Sequence, residues 1–183
     1  GETEELTVTV LMSDIRGYTT IAEHADPSVL AGQLHEHRAV MNRAILGEAG
    51  TVMQFVGDAV MAVFGAPVAS DDHADRAVAA AIAMQQGQDE LNERWKKSGQ
   101  PVFGLGIGLS TGRVAAALLG SEERLEYTLV GDTVNLTQRL QQWAEPGETV
   151  VSEPTWAARS KGRRICSRPT RFISTRSSCC SRG

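Results

Sequence analysis

Hydrophobic and polar positions alternate at first with a period near two, then with a period near 3.6, and this change recurs along the chain. From Leu6 to Met12 the residues are β-branched or apolar in near alternation, which predicts a strand buried on at least one face. Asp26-Pro27 then opens a helix, with Asp suited to the cap and Pro to the first helical position. Its apolar stripe is Leu30, Leu34, Met41 and Ile45, widened by Val40 and Ala44, and Glu48-Ala49-Gly50 ends it. Two short apolar runs around Gly57-Asp58, from Thr51 to Phe64, predict a hairpin closed by Gly65-Ala66-Pro67. A long helix from Asp71 or Asp72 to Lys97 follows, with acids at its start and Arg94, Lys96 and Lys97 at its end, as the helix dipole favours. Its inward face reads Ala77, Ala81, Met84, Leu91 and Trp95.

The next strand, Phe103 to Leu109, carries apolar residues on one face and only Gly104, Gly106 and Gly108 on the other. A face without side chains admits something close, either a packed helix or neighbouring chain or a ligand. Val114–Leu119 and Arg124–Val130 predict a further strand pair around Gly120-Ser-Glu-Glu123. A helix from Asp132 or Thr133 to Leu140, a short strand Thr149–Ser152 and a short helix from Glu153 complete the pattern. His35 and His37 lie on the first long helix without matching ligands, so they predict no metal site. This order suits helices layered on an antiparallel or mixed sheet: an α/β (α+β sandwich) fold with a ferredoxin-like βαββαβ core and added strands.

Two acids fall where apolar runs end. Asp14 sits where the first strand surfaces, and an unpartnered carboxylate there would cost several kcal/mol of desolvation, so it must meet a cation, donors or water. Asp58 falls at the hairpin turn. If the hairpin pairs beside the first strand the two carboxylates converge, and a divalent cation between them relieves their repulsion in the oxygen-rich setting Mg²⁺ or Mn²⁺ prefers. Gly17 lets the chain turn sharply so that backbone N–H groups can approach a phosphate, and Arg16 adds positive charge there. Asn135 and Arg139, four apart, share one face of their helix.

Composition narrows the classes. A chain of 183 residues, 42% of them hydrophobic, fits one domain with a substantial core. No apolar run nears the roughly 18 residues of a membrane helix, and the acidic start is unlike a signal peptide. The start at Gly1 reads as a domain excised from a longer protein. Residues 1 to 158 carry ten Lys/Arg against twenty-two Asp/Glu, a net of −12, whereas residues 159 to 183 carry eight basic residues and no acid. An acidic body argues against nucleic acid as partner. Cys166, Cys179 and Cys180 all fall in the tail without metal-ligand spacing, and a reducing, cytoplasmic setting follows.

The runs Ser13-Asp-Ile-Arg-Gly-Tyr-Thr19, Gln54-Phe-Val-Gly-Asp58, Gly106-Ile-Gly-Leu-Ser-Thr-Gly112 and Tyr127-Thr-Leu-Val-Gly-Asp-Thr-Val-Asn-Leu-Thr-Gln-Arg139 resemble, in order and spacing, the catalytic domain of class III nucleotidyl cyclases, most of all bacterial adenylate cyclases. The resemblance covers about residues 6 to 157 and implies a 1–158 catalytic domain followed by an atypical 159–183 tail. It further implies a homodimer with shared active sites, and ATP, with GTP as an alternative, as substrate. Asp14 and Asp58, assisted by the Ile15 carbonyl, would hold two Mg²⁺ or Mn²⁺ ions. Asn135 and Arg139 would act from the partner chain on the ribose and the reacting phosphate. Gly17 and Tyr18 would lie at the substrate, and Gln54 and Thr128 would read the purine. Gln54 stands where adenylate cyclases usually carry Lys, and Thr128 where they carry Asp; amide and hydroxyl can each present either polarity, so discrimination between ATP and GTP is expected to be weak. Lys161, in Ser160-Lys-Gly-Arg163, resembles the family's phosphate-binding turn, but Ile165–Arg176 carries no strand pattern. The rival is a degenerate cyclase domain that binds nucleotide or dimerises to regulate an attached domain; a diguanylate cyclase palm lacks its Gly-Gly-acid-acid-Phe hairpin.

Overall fold

The computed structural model of the chain describes residues 3–121, 124–160 and 170–173. The elements run β1 (Thr3–Ile15), α1 (Tyr18–His24), α2 (Pro27–Gly47), β2 (Thr51–Val56), β3 (Ala59–Phe64), α3 (His73–Lys97), β4 (Leu105–Ser121), β5 (Arg124–Val130), α4 (Asp132–Trp143), β6 (Glu148–Ser152), α5 (Glu153–Ala157) and β7 (Thr170–Ile173). The sheet order is β2-β3-β1-β4-β6-β7, with β5 also paired to β4. Neighbouring strands among the first four pair antiparallel, and β1-α2-β2-β3-α3-β4 is the expected ferredoxin-like βαββαβ core.

Period-two alternation sends the two faces of β1 to different layers. Leu11 and Ile15 join the larger core with Ile107, Leu109, Phe64, Met41, Ile45, Met84 and Trp95, under α2 and α3. Val8 and Val10 point the other way, into a second cluster with Val63, Val114 and Leu129. Asp14 shares the parity of Val10 and Met12 and so emerges on this second face.

The expected helix at Asp26-Pro27 forms, and the Asp26 carboxylate accepts from the Ser28 and Val29 amides at 2.9 and 3.1 Å. Its stripe is continued at mid-helix by two polar residues, Gln33 and His37, both buried. Gln33 Nε2 donates to the Pro101 carbonyl at 2.7 Å, and His37 Nδ1 meets Gln88 Oε1 at 2.8 Å. Burial holds the His37 pKa below the ordinary value, despite the Gln88 acceptor and the nearby Asp58 charge.

Three features differ from the sequence pattern, and a fourth is one that the pattern leaves open. The segments 103–109 and 114–119 are not separate strands but one strand, β4, because β1 pairs with it without interruption from Thr3↔Ala117 to Ile15↔Leu105 and that ladder overrides the turn preference of Gly112. A short helix, α1, precedes Asp26; it begins at Gly17, which takes the left-handed conformation (φ 67°). The tail contributes β7, which pairs in parallel with β6, although its sequence predicts no strand. The glycine face of β4 meets a helix: a Cβ at Gly108 would lie 2.5 Å from the Gln141 amide nitrogen and 2.6 Å from the Thr137 carbonyl oxygen, so α4 rests directly on the strand backbone. Gly104 likewise faces Pro146, just beyond α4.

Candidate active site

The site begins with the end of β1 and the β2–β3 turn. Strand pairing runs to Ser13↔Val60, which brings the residues just beyond, Asp14 and Ile15, level with the turn that carries Asp58. The Ile15 amide donates to Asp58 Oδ2 at 2.8 Å. The two acids thus stand at one end of adjacent strands, as the spacing required. The turn is held from behind by α2: Arg38 Nη2 donates to the Gly57 carbonyl at 2.6 Å, and the guanidinium lies 5.4 Å from the centre of the Phe55 ring.

Asp14 remains one-third exposed, and its Oδ1 pairs with Arg16 Nη2. Arg16 does not extend toward the Gly17 turn as the sequence suggested. Its guanidinium donates instead to the Gln141 carbonyl at 2.8 Å and the Gln142 carbonyl at 3.2 Å, the last turn of α4, and its backbone amide donates to Gly104 O at 2.8 Å.

Beside Asp14 lies a cleft of about 320 Å³, lined on the sheet side by Met12, Gln54 and Met61 and on the α4 side by Gln138 and Gln142. Gln54 therefore shares a cleft with Asp14. Thr128 is not in its lining; it lies on β5, opposite Ala117, on the far side of β4 from β1. On α4, Thr133, Thr137, Leu140 and Gln141 are buried, while Asn135 and Arg139 are exposed. Neither Asn135 nor Arg139 has a side-chain partner among the described residues, although each is a strong donor. The Tyr18 side chain is half-buried against the larger core. Lys161 lies outside the described residues.

A family model for the adenylate and guanylate cyclase catalytic domain matches residues 2–172. The chain belongs to this family. As a cyclase domain it is 37% identical over 134 residues to adenylate cyclase 1 of Rhizobium meliloti and 36% identical over 138 residues to an adenylate cyclase of Anabaena cylindrica, each alignment covering 73% of the chain. It spans only 20% and 26% of the length of those two proteins. Among solved structures it superposes on the guanylyl cyclase Cya2 with a TM-score of 0.84 at 34% identity, covering 88% of this chain and 82% of that one. On the adenylyl cyclase CyaB from P. aeruginosa the TM-score is 0.81 at 33% identity, covering 86% and 82%. The cyclase domain is thus similar to enzymes named for either purine.

The donors at the strand ends fit a hard divalent cation. Two carboxylates and a backbone carbonyl are all oxygen, with no sulfur or imidazole among the donors, which suits Mg²⁺ or Mn²⁺. The described residues hold no group of three or more His, Cys, Asp or Glu side chains, so phosphate oxygens and water must supply much of any coordination shell here. Arg38, behind the hairpin turn, escaped the sequence reading, because its partner lies 19 residues along the chain. The sequence points Arg16 toward a phosphate, and the structure turns it to Asp14 and the end of α4.

Proposed function

We propose that the chain is an adenylate cyclase domain that converts ATP to 3′,5′-cyclic AMP and pyrophosphate at sites shared between two copies. The observation that carries this reading is a division within one chain: Asp14 ends β1 beside the Ile15 amide that holds Asp58, while Asn135 and Arg139 are exposed on α4 with no side-chain partner among the described residues. Two donors exposed on one helix, with no side-chain partner among the described residues, are available to another molecule. The cleft beside Asp14 is at the lower end of the roughly 300–1,000 Å³ typical of small-molecule sites, and a second copy would complete it.

Bound at Asp14, Asp58 and the Ile15 carbonyl, divalent ions would polarise the 3′-hydroxyl and neutralise the pyrophosphate. The protein's own groups do the rest. The Ile15 amide fixes the Asp58 carboxylate, and the Arg38 latch fixes the turn beneath it. The Gly17 turn offers backbone N–H groups to the phosphates, Tyr18 acting there through its backbone since its ring packs inward. From the second copy, Asn135 orients the ribose and Arg139 stabilises charge on the α-phosphate; such preorganised donors supply about 3 kcal/mol of transition-state stabilisation. Gln54 and Thr128 read the purine, and Lys161 contacts phosphate.

The test is cyclic nucleotide formation from ATP and from GTP with Mn²⁺ and with Mg²⁺. Product from ATP that disappears on chelation supports the enzyme. Tight nucleotide binding without any product supports the regulatory alternative, and a preference for GTP would move the assignment to a guanylate cyclase.

A further inference from the structure

Arg16 joins two parts of the molecule that serve different sites. One Nη2 group donates to Asp14 Oδ1 and to the Gln141 carbonyl, while Nη1 donates to the Gln142 carbonyl. The side chain is 20% exposed and lies over Gly106, where a Cβ would come within 2.5 Å of Nε and 2.7 Å of Cζ. Glycine at that position leaves the space the guanidinium fills. Helix α4 carries no basic residue in its own last turn, so Arg16 supplies the cation that the negative end of the helix dipole favours. A planar fork is needed to hold a carboxylate and two carbonyls together; a lysine ammonium is a single point.

We infer that Arg16 is a positioning residue that couples the Asp14 carboxylate of a protomer's own site to α4, the helix through which that protomer serves the other site. This rests on the cyclase reading above and deepens it. Two consequences follow from the geometry. Arg16 competes with a divalent cation for Asp14, so its removal strengthens cation binding. Arg16 also anchors α4, so its removal weakens the action of Asn135 and Arg139 two and one turns away on the same helix.

Binding of Mn²⁺ alone, followed by electron paramagnetic resonance, and turnover of ATP should therefore move in opposite senses. In Arg16→Met the Mn²⁺ Kd is expected to fall at least threefold and kcat to fall at least tenfold. Gly106→Ala, which displaces the guanidinium without altering any charge, should follow it in both directions. Arg16→Lys should keep the Mn²⁺ Kd within twofold of the original but lose kcat, because it retains the charge and loses the fork.

The anchoring role is isolated in mixed dimers. An Asp14→Ala chain has no metal role of its own and lends only its α4 to an Arg139→Ala partner; adding Arg16→Met to the Asp14→Ala chain should still lower the restored activity at least fivefold. Unchanged restored activity, or Mn²⁺ affinity and kcat in Arg16→Met both within twofold of the original, would overturn the coupling. So would parallel losses of both that track a fall in the folded fraction. Asp14→Ala is the control that separates the layers. If it binds Mn²⁺ as tightly as the original chain, the metal assignment fails and the coupling fails with it; if it loses Mn²⁺ while Arg16→Met changes nothing, only the coupling fails.

Discussion

The Ile15 amide donates to Asp58 Oδ2 at 2.8 Å, so the end of one strand fixes the carboxylate carried by the turn between two others. An amide side chain in place of the acid can accept the same bond but carries no charge. Asp58→Asn is therefore expected to keep the thermal midpoint within about 2 °C, less than 1 kcal/mol for a chain of this size, while cyclase activity drops more than a hundredfold. Asp14→Ala and Asp58→Ala should likewise abolish activity without unfolding the domain. Residual turnover above a few per cent in a soluble variant would remove the metal role.

Asn135 and Arg139 are exposed on α4, and complementation tests where they act. Asp14→Ala and Arg139→Ala should each be inactive alone, and mixing them should restore part of the activity, since one of the two heterodimer sites is intact. Mixing without recovery, when heterodimers are shown to form, would count against shared sites.

Gln54 lines the cleft beside Asp14, and the proposed function assigns it the purine. Gln54→Lys should sharpen preference for ATP, because Lys donates to adenine N1 but cannot accept from the N1–H of guanine. The expected change in the ratio of kcat/KM for ATP over GTP is about tenfold to a hundredfold, or about 1 to 3 kcal/mol. A ratio unchanged within about twofold would assign Gln54 to the hairpin alone.

At Gly108 the backbone of α4 lies against β4. A methyl group there meets backbone atoms of Thr137 and Gln141, which cannot rotate away. Gly108→Ala should destabilise the domain by about 1 to 3 kcal/mol and lower activity further than the folded fraction explains, because α4 shifts. Urea titration alongside turnover distinguishes the two effects.

Burial lowers the His37 pKa, and it lowers that of His73, which meets Thr9 Oγ1 through Nδ1, in the same way. Below the unfolded value near 6.5 the unfolded chain binds protons that the native state refuses, so stability rises with pH through this window and is lost on acidification from about 6.5 downward. Thermal midpoints between pH 5 and 7.5 should show this slope, and His37→Gln should flatten it. An unchanged slope in that variant would place the proton uptake elsewhere.

Alternation, caps and turn residues determined much of the fold locally. The first strand, the Asp26-Pro27 start, the Gly57-Asp58 hairpin and the inward face of α3 each follow from interactions within a few residues, and the order of the cyclase motifs pointed to the family. What depended on partners distant in the chain was not legible. Gly112 could interrupt a strand or lie within one, and only the thirteen-residue ladder with β1 decided it. The glycine face of β4 could admit a ligand or a helix, and α4 decided that. The charge of Arg16 could serve a phosphate or a carboxylate. Tertiary packing chose the carboxylate and the last turn of α4, because over Gly106 both Nη groups of the guanidinium meet acceptors 125 and 126 residues along the chain that the fold brings beside them.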